Sequence, residues 1–113
     1  MFELREAKAR ISKGLVTYVL MTWDQCGPCR IAEKVIRKLA GDSDRLHVLP
    51  IDHEDVMADH FTATHSVKEV PTLLVFKGVR DNNGKPLPVA RVKGVEGNSE
   101  ETLTTAYKEA FKA

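Results

Sequence analysis

Cys26 and Cys29 are the only cysteines in the chain, separated by Gly27 and Pro28. They stand where the apolar run 15–22 gives way to a helical pattern opening at Gly27-Pro28, a place where proline is tolerated. At a helix N-terminus the backbone N–H groups are unpaired and the dipole favours negative charge. Cys26 therefore sits where a thiolate is stabilised, and the thiolate is the form of cysteine that attacks disulfides. The chemistry this implies is dithiol–disulfide exchange. Cys26, the more exposed sulfur, attacks and forms a mixed disulfide. Cys29, facing inward, then attacks Cys26 and releases the reduced substrate. Arg30 adds positive charge nearby.

Two other uses of the pair weigh less. As a structural crosslink it would close a tiny loop and remove little unfolded-state entropy. As a zinc site it would need four ligands, and the spacings of His47, His53, His60 and His65 match no common finger, so no metal is expected. In a reducing cytosol a lone close pair is more often catalytic or metal-binding than a staple.

The elements that must hold these cysteines can be read from periodicity. Residues 2–13 form an amphipathic helix with Leu4, Ala7 and Ile11 on one side, ended by Gly14. Residues 15–22 are apolar with little alternation, as in a strand buried on both faces. A helix from Gly27 carries the stripe Ile31, Ala32, Val35, Ile36 and Leu39 and stops at Gly41. Residues 46–51 are a second strand, and Asp52 can cap a helix in which Met57, Phe61 and Thr64 share a face. Residues 72–77 are a third strand after Val70-Pro71, and Asp81-Asn82-Asn83-Gly84 a turn. Residues 87–93 are a fourth strand. Pro86 and Pro88 cannot donate to a ladder, so this strand belongs at an edge or begins irregularly. Asn98 or Ser99 caps a last helix with the stripe Leu103, Ala106, Tyr107, Ala110 and Phe111.

This order predicts an α/β fold. Strand–helix–strand implies a parallel pair with a right-handed crossover, and the short link between the last two strands implies an antiparallel hairpin. Helices then cover both faces of one mixed sheet. The 113 residues suffice for a single domain over 1–113. A net charge of +1 gives no basic surplus for nucleic acid. The run 15–21 is too short for a membrane span and lacks a signal-peptide pattern, so a cytoplasmic protein is expected, with no membrane partner. Nothing demands more than a monomer.

Taken together, these residues resemble the thioredoxin family. Cys26-Gly27-Pro28-Cys29 matches its active site. Val70-Pro71-Thr72 and the strand after it resemble its cis-proline loop. Gly94 matches the glycine bordering its substrate groove. The resemblance runs in order from about Leu15 to Phe111 and implies a thioredoxin-like fold. Pro71 should be cis and lie against the cysteine pair, leaving the Val70 backbone to an extended substrate segment. Gly27, Pro28 and Pro71 would support the site, and Trp23, Asp24, Gln25, Glu69, Val70 and Gly94 would form the groove. The Gly-Pro spacer resembles the reducing members of the superfamily.

The chain also departs from that pattern. No room is left for the family's extra strand before the helix at 2–13, so four strands are expected, closer to the minimal core shared with glutaredoxins. Leu20 stands where the family buries an aspartate, and residues 46–52 lack the lysine that accompanies it. Losing both halves of a buried charge pair together is physically coherent, since one alone would be costly. It also removes the usual proton acceptor for Cys29, so resolution is expected to be slower, or to use water or a substrate group. Gln25 replaces the tryptophan before the first cysteine, with Trp23 two residues earlier. Glu69 replaces a small residue. Asp24, Gln25 and Glu69 would make the groove more polar and acidic, opposing thiolate formation and selecting basic partners; the equal alternative is that these side chains point to water and are screened.

The leading expectation is a protein-disulfide reductase with no bound cofactor. Its electrons would come from NADPH through a thioredoxin reductase, and its partners would be that reductase and disulfide-containing proteins. A glutaredoxin-like, glutathione-dependent enzyme is the alternative, allowed by the Val70-Pro71 pair and the 94–98 turn but opposed by the Gly-Pro spacer. A thioredoxin-fold binding or accessory subunit, docking through a long turn at 78–88, is the third reading.

Overall fold

The computed structural model describes residues 2–41, 43–94 and 99–113. Among these the elements run α1 (Phe2–Ser12), β1 (Thr17–Thr22), α2 (Gly27–Ala40), β2 (Leu46–Pro50), α3 (Glu54–Asp59), α4 (Phe61–Thr64), β3 (Thr72–Arg80), β4 (Pro86–Val92) and α5 (Glu100–Lys112). The strands form one mixed sheet in the order β2-β1-β3-β4. β1 pairs with β2 in parallel and with β3 antiparallel, and β3 pairs antiparallel with β4.

Alternation along the two central strands divides the core. Val19 and Met21 of β1, with Leu74 and Phe76 of β3, meet Leu4, Ala7 and Ile11 of α1 and Val56 and Phe61 of the α3–α4 region. Leu20, Leu73 and Val75 face the other way, onto Ala32, Val35 and Ile36 of α2 and Leu103, Tyr107 and Ala110 of α5. Helices thus cover both faces of the sheet, and each leucine or valine sealed in these layers contributes about 1.5–3 kcal/mol of burial. Burial alone pushes the Tyr107 hydroxyl pKa up to about 12.

The long helices behave as their patterns dictate. α2 starts on Cys26 as N-cap, places proline in its first turn and ends on Gly41, whose φ of 65° favours glycine and whose N–H donates to the Arg37 carbonyl at 2.9 Å. Ile31 lies outside the buried stripe of α2, since it is exposed; Cys29 joins that stripe instead. Ser99 caps α5, its hydroxyl accepting from the Thr102 N–H at 3.1 Å. Asn98, the other candidate cap and the end of the 94–98 turn, lies outside the described residues.

Three further expectations need correction. Asp52 does not cap the next helix. α3 starts one residue later than such a cap would allow, with His53 in the cap position and no side-chain cap bond. Met57, Phe61 and Thr64 do not share a buried face either. His60, at φ 64°, breaks the segment into two short helices, so spacing across it no longer follows one helical period. Val56 and Phe61 are buried, while Met57 and Thr64 are exposed. The long turn expected at 78–88 is largely strand, because β3 continues to Arg80 and pairs with Pro86. The turn proper is tight: the Asp81 carboxylate accepts from the N–H groups of Asn83 and Lys85 at 2.8 and 2.9 Å. β4 is an edge strand with register shifts beside its prolines, as a strand lacking those donors requires. No helix among the described residues is long and apolar enough to cross a membrane.

Candidate active site

Parallel β1 and β2 end together, at the Thr22–Pro50 pair, and the Ile51 N–H donates to the Thr22 carbonyl at 2.8 Å. The carboxyl ends of parallel strands are where open α/β sheets place their ligands. The chain leaves β1 at this edge through Trp23, Asp24 and Gln25 and enters α2. β3 arrives from the opposite direction, with Thr72 paired to Met21, so Val70 and Pro71 stand at the same end of the sheet.

The two cysteines are joined, with Cα atoms 5.2 Å apart. Their environments differ. Cys29 is buried at 2% exposure, whereas Cys26, the cap residue, is partly exposed. The Cys26 Sγ accepts a hydrogen bond from the Cys29 backbone N–H at 3.2 Å. That N–H is one of the orphan donors of the first turn, and such a donor bonds more strongly to a charged acceptor than to a neutral one. The first turn of α2 contains no acidic residue to oppose that charge, and Arg30 follows directly.

The Val70–Pro71 peptide bond is cis. The Thr72 hydroxyl donates to the Glu69 carbonyl at 2.6 Å, tying the loop to the start of β3. Gly94 lies against this loop: a Cβ there would come within 3.4 Å of the Pro71 Cδ and the Val70 carbonyl oxygen. The absence of a side chain thus lets the chain at Gly94 pass close to the proline.

The remaining groove residues are exposed: Trp23 at 51%, with Asp24, Gln25 and Glu69. Asp24 has partners that the sequence did not reveal. Its carboxylate meets the His53 Nε2 at 2.7 Å, and its backbone N–H points at the Asp52 carboxylate at 3.3–3.4 Å. The hydrogen bond to Asp24 holds the His53 pKa above its ordinary value, reinforced by the charges of Asp24, Asp52 and Asp55. Asp24 thus shares this part of the rim with a histidine and a second carboxylate. His47 is buried against Glu3 at 2.9 Å, and His65 packs between the Phe61 and Phe76 rings. Among the described residues, the two groups with metal-ligand spacing are Glu3, Glu6 and His47, and Asp24, Asp52 and His53; neither includes a cysteine.

A cleft of about 180 Å³ opens on the β2 side of the cysteines, lined by Thr22, Trp23, Cys29, Glu33, Val48 and Pro50 among others. Leu20 and Val48 are both apolar, Leu20 fully buried. Glu33 escaped notice in the sequence, although its position four residues after Cys29 on one helix was the available signal.

No protein-family model matches the chain. It is 39% identical to a thioredoxin of Staphylococcus epidermidis over 57 residues, 50% of this chain and 51% of that protein. The chain thus spans about half the length of such relatives. It is 33% identical to a thioredoxin of Mycolicibacterium smegmatis over 90 residues, 78% of this chain and 71% of the relative. In architecture it is similar to oxidised thioredoxin O2 of Arabidopsis thaliana, with a TM-score of 0.67, 24% identity and coverage of 96% of this chain and 86% of that one. The four-stranded mixed sheet with helices on both faces is thus a thioredoxin-like fold.

Proposed function

The chain belongs to the thioredoxin family, and on that premise we propose that it is a thiol–disulfide oxidoreductase that reduces protein disulfides through Cys26 and Cys29. The observation that carries this reading is the asymmetry of the pair. One sulfur caps a helix and accepts a backbone N–H; the other, three residues on, is sealed beneath it. Cys26 attacks a substrate disulfide as a thiolate, forming a Cys26–substrate bond and expelling the first substrate thiolate, which takes a proton. Cys29 then forms its bond to Cys26 and releases the second substrate sulfur. Substrate and both cysteines exchange two electrons, and no bound cofactor takes part. The electrons come from NADPH through a thioredoxin reductase, in a cytoplasmic setting.

An extended substrate segment lies along Val70, beside cis-Pro71, with Gly94 leaving room and Trp23 supplying exposed apolar area. The test is reduction of a disulfide-bonded protein with two alternative electron sources: NADPH with thioredoxin reductase, and glutathione alone. Turnover with the first supports the proposal. Turnover with glutathione alone moves the chain to the glutaredoxin-like reading. Full biological activity of Cys26→Ser would point instead to a binding subunit.

A further inference from the structure

Resolution of a mixed disulfide requires Cys29 to lose its thiol proton, and the residues packed over the sheet at this point are hydrocarbon. Leu20 is fully buried with Leu73, Val75 and the inner face of α2. The side of Cys29 that is not sealed by this layer borders the cleft beside β2. Its other lining side chains include one carboxylate on α2 itself, Glu33. Residues four apart on a helix lie on one face with Cβ atoms about 5–6 Å apart, so Glu33 stands one turn above Cys29. The cleft's volume of about 180 Å³ has room for several waters, each occupying about 30 Å³ in the liquid. Glu33 is paired with Arg37 at 3.1 Å through Oε2, which orients the carboxylate, and a carboxylate accepts at two oxygens.

We propose that Glu33 takes up the Cys29 proton through cleft water when Cys29 resolves the mixed disulfide, doing from the helix what a carboxylate buried in the sheet cannot do in this chain. The inference rests on the disulfide-exchange reading above. The step balances as follows. The Cys29 S–H bond breaks and its proton passes through water to the Glu33 carboxylate. The Cys29 thiolate forms the bond to the Cys26 sulfur. The Cys26–substrate S–S bond breaks, and the substrate thiolate leaves and is protonated from solvent. Glu33 is the proton's final acceptor and acts on Cys29 only through the water, not by contact with sulfur. The charges that bear on it are Arg30 and Arg37 from α2 and Asp24, itself bound to His53, from the loop before α2. β1 and β2 present Thr22, Val48 and Pro50, which carry none. α5 meets α2 through Glu100, which pairs with Lys34 and Lys38.

The test mixes reduced protein with one equivalent of dithiobis(nitrobenzoate) and follows release of the two coloured thiolates. Attack by Cys26 gives a first phase that depends on concentration; resolution by Cys29 gives a second that does not. Glu33→Gln is expected to slow the second phase about tenfold at neutral pH and leave the first within about twofold. The loss lies below the usual range for general-base catalysis because the cleft is open to solvent. The deficit should close at alkaline pH, where the thiol ionises unaided, and Glu33→Asp should recover part of the rate. Arg37→Gln, which breaks the same ion pair but keeps the carboxylate, should retain most of the second phase. A second phase identical in wild type and Glu33→Gln at every pH overturns the role of Glu33 while leaving the reductase intact. So does equal slowing of both phases, which would mark a structural effect. Absence of any second phase in the wild type overturns the exchange reading itself.

Discussion

The two flanks of the cysteine pair are built from different materials. Outside, around Cys26, stand Asp24, Gln25 and Glu69, all exposed, with His53 bonded to Asp24. Inside, the helix that buries Cys29 rests through Ala32, Val35 and Ile36 on Leu20 and Leu73, and among the described residues of that apolar cluster the ionisable groups are the hydroxyls of Tyr107 and, at its edge, Tyr18. A polar rim can be altered at little cost to folding, because its charges are solvated and screened. An apolar floor cannot, because any charge placed in it must be compensated. On the proposed reading, the difference assigns recognition to the outer flank and proton transfer to the cleft.

The largest effects come from the sulfurs themselves. Cys26→Ser should bring disulfide reduction to background, whereas Cys29→Ser should still attack and accumulate a mixed disulfide, visible as a covalent adduct by mass spectrometry. Equal, adduct-free loss in both variants would erase the assigned asymmetry. Leu20→Asp is the next largest change, and it is aimed at the inner flank. A carboxylate there lacks a lysine partner, so the folded state should lose about 3 to 5 kcal/mol at neutral pH. Burial raises the folded-state pKa of such a group above its unfolded value of about 3.9. The electrostatic part of the loss is therefore absent below that value and grows as pH rises toward the folded pKa. Urea unfolding at acid and neutral pH measures it. The same carboxylate should shorten the mixed-disulfide lifetime, because it restores an internal proton acceptor. An unchanged lifetime would mean that proton removal does not limit resolution.

How much of this was legible beforehand varied with the length and regularity of each element. The cysteine pair, the helix it caps, the four strands, the parallel β1–β2 pair and the β3–β4 hairpin could be anticipated, because each rests on local chemistry, such as the Gly27-Pro28 start, or on a pattern sustained over many residues, such as the buried face of α5. The cis proline was legible only through the resemblance to the thioredoxin family, and the antiparallel pairing of β1 with β3 was not read at all. The segment between β2 and β3 could not. Its break depends on His60 adopting a left-handed conformation that a non-glycine residue seldom takes, and its apolar residues then follow tertiary packing rather than one period. The pairing of Asp24 with His53 joins residues 29 apart, and no local rule connects them. Glu33 is the opposite case. Its relation to Cys29 lay within one helical turn, but helical spacing alone does not show that a cleft opens beside both.

The outer flank should respond more gently. Glu69 is exposed, and only its backbone carbonyl takes part in the loop, so Glu69→Gln removes charge without disturbing the Thr72 hydrogen bond. Removal of one rim charge changes encounter more than the bound state. Turnover with a thioredoxin reductase should rise about two- to threefold in kcat/KM, with the gain shrinking as salt is added. A decrease, or a gain insensitive to salt, would take Glu69 out of partner selection.

The smallest expected effect tests whether the rim's charge depends on pH. The His53 pKa is raised mainly by its hydrogen bond to Asp24. The charged form of that pair predominates below the ordinary histidine value of 6.5 and is lost as pH climbs through the raised one. Once His53 is neutral, Asp24 stands uncompensated two residues before Cys26 and opposes its thiolate. Asp24→Asn should move the His53 titration down toward 6.5, though Asp52 and Asp55 still favour its charged form. Ring-proton NMR across that range reads the shift directly. The same variant should attack dithiobis(nitrobenzoate) slightly faster than wild type above the His53 midpoint, by less than about twofold because both groups are solvated. In the window between the variant's lowered midpoint and the wild type's the gain should disappear, since wild-type His53 is still protonated there and offsets Asp24 while the variant's is already neutral. A rate gain of the same size at every pH would show that Asp24 acts on Cys26 without reference to His53, and the rim would carry a fixed charge rather than a titrating one.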